Sequence, residues 1–494
     1  MKKDFKIFDN HLISFFFSII YCVYFHLNKF VSNLGKEEPK MNVNTDVFEN
    51  YIKINNSFWT RKDPKNTDKV LITDLVHHPG TIIKEFIFGN YVSEFYNLDP
   101  YALVDYTYEF NKKIIKSFNV KNFIYQPKIS FIQRLINIFK SYKMVRNVRN
   151  IDEFIALDDK KINYGRCVYD HIIRNTSGGT LEKINYKIFF FLSEAIFYND
   201  FYENLFLNNN FKYLIMSETQ FLPSNIILQN ALEYNVKVVS RIGGPSKIGA
   251  RLYDKKNEKF QSNIKISKDQ FNDIFKDSKD IYSKKGYEII KNLYDGTRAH
   301  HDPAAAENYV YNKDNFKTSK DLLKYFKWNN SRKICTIYSH NLFDGNYYNE
   351  WRIFRDNLTW LRKTLTYIKN KKLDVNWIVK DHPSDYGNNR AKNTTYNEFK
   401  KIVGKNDNIK FFPNEFKSQV LKDVTDCLFT SQGSAGIEFP CFGIPSIICG
   451  DAYYQGLGFT IEPKNELEYY NVINNLDKII SNGLDDEQMK NARS

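Results

Sequence analysis

The stretch "FTSQGSAGIEFPCFGIPS" occupies Phe429–Ser446. It follows the apolar run "DCLF" and gathers three glycines, three serines and a glutamate in a chain otherwise crowded with Lys, Asn and aromatics. Apolar residues yielding to Gly and Ser, and then to "SAGIEFPCFG", predict a strand, a tight turn and a helix. Gly433 and Gly436 let backbone approach a ligand closely. Ser431 and Ser434 offer hydroxyl donors, and a helix start offers unpaired N–H groups with the positive end of its dipole. Such a set would hold a phosphate, and Glu438, one turn into the helix, would accept both hydroxyls of a ribose. An ordinary Gly/Ser turn has the same composition, so the surrounding sequence has to decide.

Working outward, "KICTIYSH", "VNWIVKDHP", "NIKFF", "DCLFTSQ" and "PSIICGD" read as strands separated by helical patterns. The longest of these patterns is "YYNEWRIFRDNLTWLRKTLTYIKN". Upstream, "KVLITDL", "KYLIMSE" and "VKVVSRIGG" read the same way, with "VHHPGTIIKEFIFGNYVSEF" and "PSNIILQNALEYN" as helices. Residues 100–210 otherwise read as helical, and 252–330 as charged and loop-rich. Strands alternating with helices imply parallel sheets covered on both faces. The expectation is therefore an α/β protein of two Rossmann-like domains facing across a cleft. Its predicted segments are 1–65, an apolar segment and polar linker; 66–320, an acceptor domain; and 321–494, a nucleotide domain.

Ligands of open α/β sheets sit beyond the carboxyl ends of the strands. There stand "SHNLFDG", "KDHPSD", "FPNE", "TSQGSAG" and "CGDAYYQGLGFT". In "KDHP", His382 ends an apolar run, and its imidazole could donate to a phosphate oxygen or protonate a leaving group. Lys380 could neutralise charge on the same group.

His382-Pro383, then Ser431/Ser434-Gly436-Glu438, then Tyr454-Gly456-Gly458-Thr460 resembles the pattern of the capsule polysaccharide biosynthesis glycosyltransferases. That family is related to bacterial β-Kdo transferases and, more distantly, to sialyltransferases with an HP motif and a serine motif. The resemblance spans about 130 residues, 334–460, and departs at Leu457, where many relatives carry tryptophan. It implies the GT-B fold, a CMP-activated acidic sugar such as Kdo as donor substrate, no metal and no further cofactor. The donor nucleotide would be held by Lys380, Pro383, Ser431, Gly433, Ser434, Gly436 and Glu438, with Tyr454, Gly456 and Thr460 nearby.

The family chemistry also needs a carboxylate in the first domain. Glu218, ending "YLIMSE", is the candidate to deprotonate an acceptor hydroxyl or attack the anomeric carbon. Asp74 is a second candidate, and Arg241, with Gly243 and Gly244, could bind acceptor or donor. A carboxylate at a helix start or an ordinary turn would explain these residues as well. "RAHHD" (298–302) carries two adjacent histidines, which do not share one face of a regular element, so no metal site is expected.

The 494 residues carry 71 Lys and Arg against 57 Asp and Glu, a net charge of +14 that suits anionic partners. No nucleic-acid-binding signature accompanies it, so nucleic acid is not an expected partner. Six cysteines with no C-x-x-C pair read as reduced core thiols. The run "ISFFFSIIYCVYF" (Ile13–Phe25) is short for a membrane span and reads as a buried helix or an interfacial anchor. The expected partners are a nucleotide-sugar donor and a glycan or lipid-linked glycan acceptor, with peripheral membrane contact as an option. The location fitting these is cytoplasmic, at the inner membrane face of a bacterial cell. Two other readings share the architecture: a nucleotide-sugar epimerase or UDP-sugar transferase, and a non-catalytic polysaccharide assembly protein.

Overall fold

The computed structural model describes residues 2–33, 44–59, 67–76, 78–105, 109–159, 161–176, 178–242, 249–261, 265–295, 318–329, 332–346, 352–371, 373–382, 385, 394–413 and 416–494, with side chains of the first helix described from 11 to 29. The chain divides into two compact units, Met1–Ile172 with Leu181–Asn263, and Ile173–Thr180 with Ile264–Ser494. The described residues 265–295 and 318–320 thus group with the second unit, and the helices over 2–33 and 45–58 with the first.

The first unit is built on six strands: β1 (Lys69–Thr73), β2 (Asp99–Val104), β3 (Asn122–Tyr125), β4 (Phe211–Met216), β5 (Lys237–Ile242) and β6 (Gly249–Tyr253). Their order is β3-β2-β1-β4-β5-β6, all parallel except β6, which pairs antiparallel with β5. Val70, Leu71 and Ile72 are fully buried because helices cover both faces of a parallel sheet, which favours unbroken apolar runs. The helix Pro79–Tyr96 follows β1. Pro79 suits its first turn, and Asn97 in the left-handed region ends it.

The second unit is a five-stranded parallel sheet: β7 (Lys333–Tyr338), β8 (Val375–Lys380), β9 (Ile409–Phe411), β10 (Cys427–Thr430) and β11 (Ser446–Ile448). Its order, β11-β10-β7-β8-β9, repeats that of the first unit's parallel strands, five strands of the doubly wound Rossmann order. Trp360 on the helix Asn357–Lys371 and Trp377 on β8 are buried in one core with Leu358, Leu361 and Phe429. All six cysteines are buried thiols, and Cys335 lies opposite Cys427 in the β7–β10 register.

Both sheets are of the expected α/β, Rossmann-like kind. The differences from the sequence reading are local. β2, β3 and β6 lie where helix or loop was expected, and Thr45–Phe58 is a helix inside the expected linker. The supposed loop-rich region contains helices Lys268–Phe275 and Lys279–Tyr294. The long helix expected over 347–370 begins at Asn357.

Candidate functional site

In the second unit the strand order reverses between β7 and β10, and a ligand crevice is expected where such a reversal occurs. The chain leaving β7 places His340 there, the chain leaving β8 places His382, and the chain leaving β10 places Ser431 and Gln432. His340 Nε2 lies 3.1 Å from the Gln432 side-chain amide, and the two imidazole rings are 5.9 Å apart. Arg352 binds the β10 loop together. Its guanidinium donates to Ser431 Oγ at 3.3 Å, Gln432 Oε1 at 3.4 Å, Asn357 Oδ1 at 2.8 Å and the Asn346 carbonyl at 3.0 Å.

Both histidines are held neutral. Burial, reinforced by the Arg352 charge, pushes His340 down to about 4. Burial first, then His340 and Lys380, pushes His382 down to about 3. Two neutral imidazoles beside a guanidinium can donate hydrogen bonds to a phosphate. An arriving dianion raises the imidazole pKa again, because an opposite charge favours the protonated form. Asp385, whose carboxyl accepts from the Thr395 N–H at 3.0 Å, is pushed up to about 6 by burial.

The remaining sequence candidates in this unit divide clearly. Ser434 is exposed at the turn. Ser431 is fully buried with its hydroxyl against Arg352, and its carbonyl accepts from the Gly450 N–H at 2.8 Å, so it braces the loop. Lys380 is buried, donating to the Asp381 carbonyl at 3.0 Å. Glu438 accepts from the Tyr294 hydroxyl at 2.8 Å and is part-buried. The expected helix over 434–443 is a single turn, Ala435–Glu438, broken at Pro440, so little macrodipole stands behind it. Tyr454 is buried and donates to the Gly433 carbonyl at 2.5 Å. A Cβ on Gly436 would overlap the Tyr454 hydroxyl, so the space made by that glycine is filled by tyrosine. Thr460 donates to Glu462 at 2.6 Å, and the Gly456 N–H donates to the same carboxylate at 2.8 Å. Pro383 lies outside the described residues, as do Gly243, Gly244 and 298–302. Among the described residues no group of three His, Cys, Asp or Glu could hold a metal ion.

The first unit has its own reversal, between β1 and β4. Asp74, after β1, is buried and accepts from Asn111 at 3.2 Å. Arg241, at the end of β5, donates to Ser217 Oγ at 3.0 Å. Glu218 accepts the Gln220 N–H at 2.6 Å, and burial first, then the Asp170 and Glu218 charges, pushes up the thiol of Cys167 on the helix Tyr164–Thr176. Sequence reasoning missed Glu85. It is fully buried in the helix after β1, and burial pushes its carboxyl up to about 8, with Ser217 and Arg241 opposing and Asp74 adding to the rise. This reversal therefore sets an acid held protonated near neutrality beside Asp74 and Arg241.

No family model matches the chain, and no curated protein does. Solved structures that resemble it include a UDP-GlcNAc 2-epimerase from Neisseria meningitidis bound to UDP-GlcNAc, 9% identical over 86% of this chain and 97% of that one, TM-score 0.29. Others are KpsC, the beta Kdo 2,4 transferase of Thermosulfurimonas dismutans, 12% identical over 60% and 87%, TM-score 0.33, and the wall teichoic acid polymerase TagF, 9% identical over 90% and 88%, TM-score 0.23. At these scores the likenesses decide neither donor nor reaction.

Proposed function

We propose that the chain is a glycosyltransferase of the GT-B kind, acting in surface polysaccharide assembly at the cytoplasmic face of a membrane. It would transfer Kdo or a related acidic sugar from a CMP-activated donor to a glycan acceptor. The observation that carries this reading is the cluster of His340, His382, Gln432 and Arg352 where the second unit's strand order reverses. The motif resemblance over 334–460 supports the donor class. In sugar transfer the departing nucleotide gains negative charge. Fixed donors aimed at that charge lower the barrier, each by about 3 kcal/mol. His340 and His382 supply such donors, and Glu218 or Asp74 would activate the acceptor hydroxyl in the first unit.

A thermal-shift panel of CMP, UDP and GDP tests the reading. CMP alone should raise the melting temperature, through the linkage of binding to stability. His382→Ala should abolish that shift and the sugar transfer. Indifference to all three nucleotides, or full transfer by His382→Ala, would refute it.

Glu85, its carboxyl pushed up to about 8 by burial, favours a second reading, a nucleotide-sugar epimerase, because returning a proton to a sugar carbon needs a group still protonated near neutrality. Stabilisation by UDP alone, with deuterium from solvent entering the recovered sugar, would select it.

A further inference from the structure

The first helix is inside out. On Lys2–Asn33, the side packed on the unit carries His11, Phe15, Ser18 and Cys22, all buried. His11 bonds the Val148 carbonyl at 2.7 Å, and Ser18 bonds the Phe15 carbonyl at 2.6 Å. The opposite side presents Ile13, Phe16, Phe17, Ile20, Tyr24 and Leu27 to solvent, with Ile20 63% exposed. These positions follow the i, i+3, i+4, i+7 spacing of a single helix face. A helix of a water-soluble body carries its polar residues outward. Here every exposed residue from Ile13 to Leu27 is aliphatic or aromatic.

The stripe continues onto a second helix, Phe131–Val145, which packs against the first through Phe15 and Phe139 with ring centroids 5.0 Å apart. Ile132, Ile136 and Phe139 are exposed on it, Ile132 at 68%. One turn further along the same face, at helical spacing, stand exposed Lys143 and Arg146. From Phe110 to Ile151 the chain holds ten Lys and Arg and no Asp or Glu. Four of these cations, Lys128, Arg134, Lys140 and Arg149, pair with carboxylates from outside that stretch. An exposed apolar face larger than scattered single residues marks an interaction surface, and this one ends in two exposed cations, Lys143 and Arg146.

We propose that this two-helix face docks the protein in the plane of an anionic membrane surface, burying the apolar stripe among lipid headgroups and acyl chains while Lys143 and Arg146 meet anionic headgroups. By length and composition His11–Lys29 could also cross a bilayer. Its packing argues against crossing. The helix lies along neighbours bearing the Arg134–Glu194 pair at 3.0 Å and the Lys140–Asp200 pair at 3.2 Å, and hydrocarbon around those charges is costly.

The test is sedimentation of the full chain with vesicles of phosphatidylcholine alone and of phosphatidylcholine containing a minority of phosphatidylglycerol. The protein should partition onto the mixed vesicles at least tenfold more than onto the neutral ones, and alkaline carbonate should release it. Phe17→Ser with Ile20→Ser, both at exposed positions, should cut partitioning by at least tenfold with an unchanged circular dichroism spectrum. Lys143→Ala with Arg146→Ala should remove most of the preference for anionic lipid, since each basic residue near such a surface is worth roughly fivefold. Protein left in solution with both vesicles overturns the proposal, as does protein that resists carbonate. A lipid-independent dimer that Ile20→Ser dissociates would assign the face to a second copy of the chain and overturn it equally.

Discussion

Glu85 is a carboxylic acid whose surroundings oppose its usual ionisation. Its carboxyl titrates near 8 in the fold and near 4.5 when the chain is unfolded. The unfolded state therefore releases its proton first as pH rises, and the folded state loses stability across that window. At pH 7 the penalty is about 3 kcal/mol, at one pKa unit per 1.36 kcal/mol. Glu85→Gln keeps the shape and removes the ionisation. It should raise the melting temperature of the first unit by several degrees at pH 7 and by almost nothing at pH 4, read by calorimetry at both pH values. Equal effects at both pH values would mean that the carboxyl carries no proton linkage. The signal for Glu85 was present in the sequence: it stands between Ile82 and Phe86 on the stripe that also contains Gly89, a face that has to be buried. Tyr454, by contrast, could be read from its motif only as a binding residue. That its hydroxyl fills the space left by Gly436 is a tertiary fact that no spacing along the chain encodes.

At the scale of elements, the loops after β7, β8 and β10 were legible because unbroken apolar runs mark buried parallel strands and Gly, Ser and His mark their exits. β2 and β3 were not, since "DPYALV" and "NFIY" are short and carry no decisive period. Arg352 was hidden for another reason. It sits in a stretch patterned like a helix, and the structure turns that stretch into a bridge to Gly450 before the helix starts at Asn357. One guanidinium joins four segments, through Asn346, Phe354, Asn357 and the Ser431–Gln432 turn. Arg352→Ala leaves buried partners without donors and should cost about 2–4 kcal/mol in chemical denaturation. It should also erase the thermal shift by CMP. Arg352→Lys keeps the charge but not the fork, so it should recover only part of either. A CMP shift of normal size in Arg352→Ala would detach the guanidinium from nucleotide binding.

For the whole molecule, the two units should differ in how they answer pH. In the second unit His340 and His382 titrate at about 4 and about 3 when folded, below the 6.5 of an unperturbed imidazole. The unfolded chain binds their protons first as pH falls, so stability drops from about pH 6.5 downward, by about 2 kcal/mol for each by pH 5. Asp385, raised to about 6, works the other way and returns about 1 kcal/mol over the interval from pH 7 to pH 5. The net expectation for this unit is a loss of about 2–3 kcal/mol in acid, where in the first unit the gain through Glu85 is opposed by His171 and His26, whose imidazoles burial also pushes down. Calorimetry of the full chain at pH 5, 6.5 and 8 should show one transition falling toward acid and another falling toward alkali. His340→Gln should flatten the acid limb alone, because an amide cannot take up the proton that the imidazole refuses. If both transitions moved together with pH, the buried titrations would not be confined to separate units. The nucleotide cluster and the acid held protonated by burial would then need to be reconsidered as parts of one cooperative body.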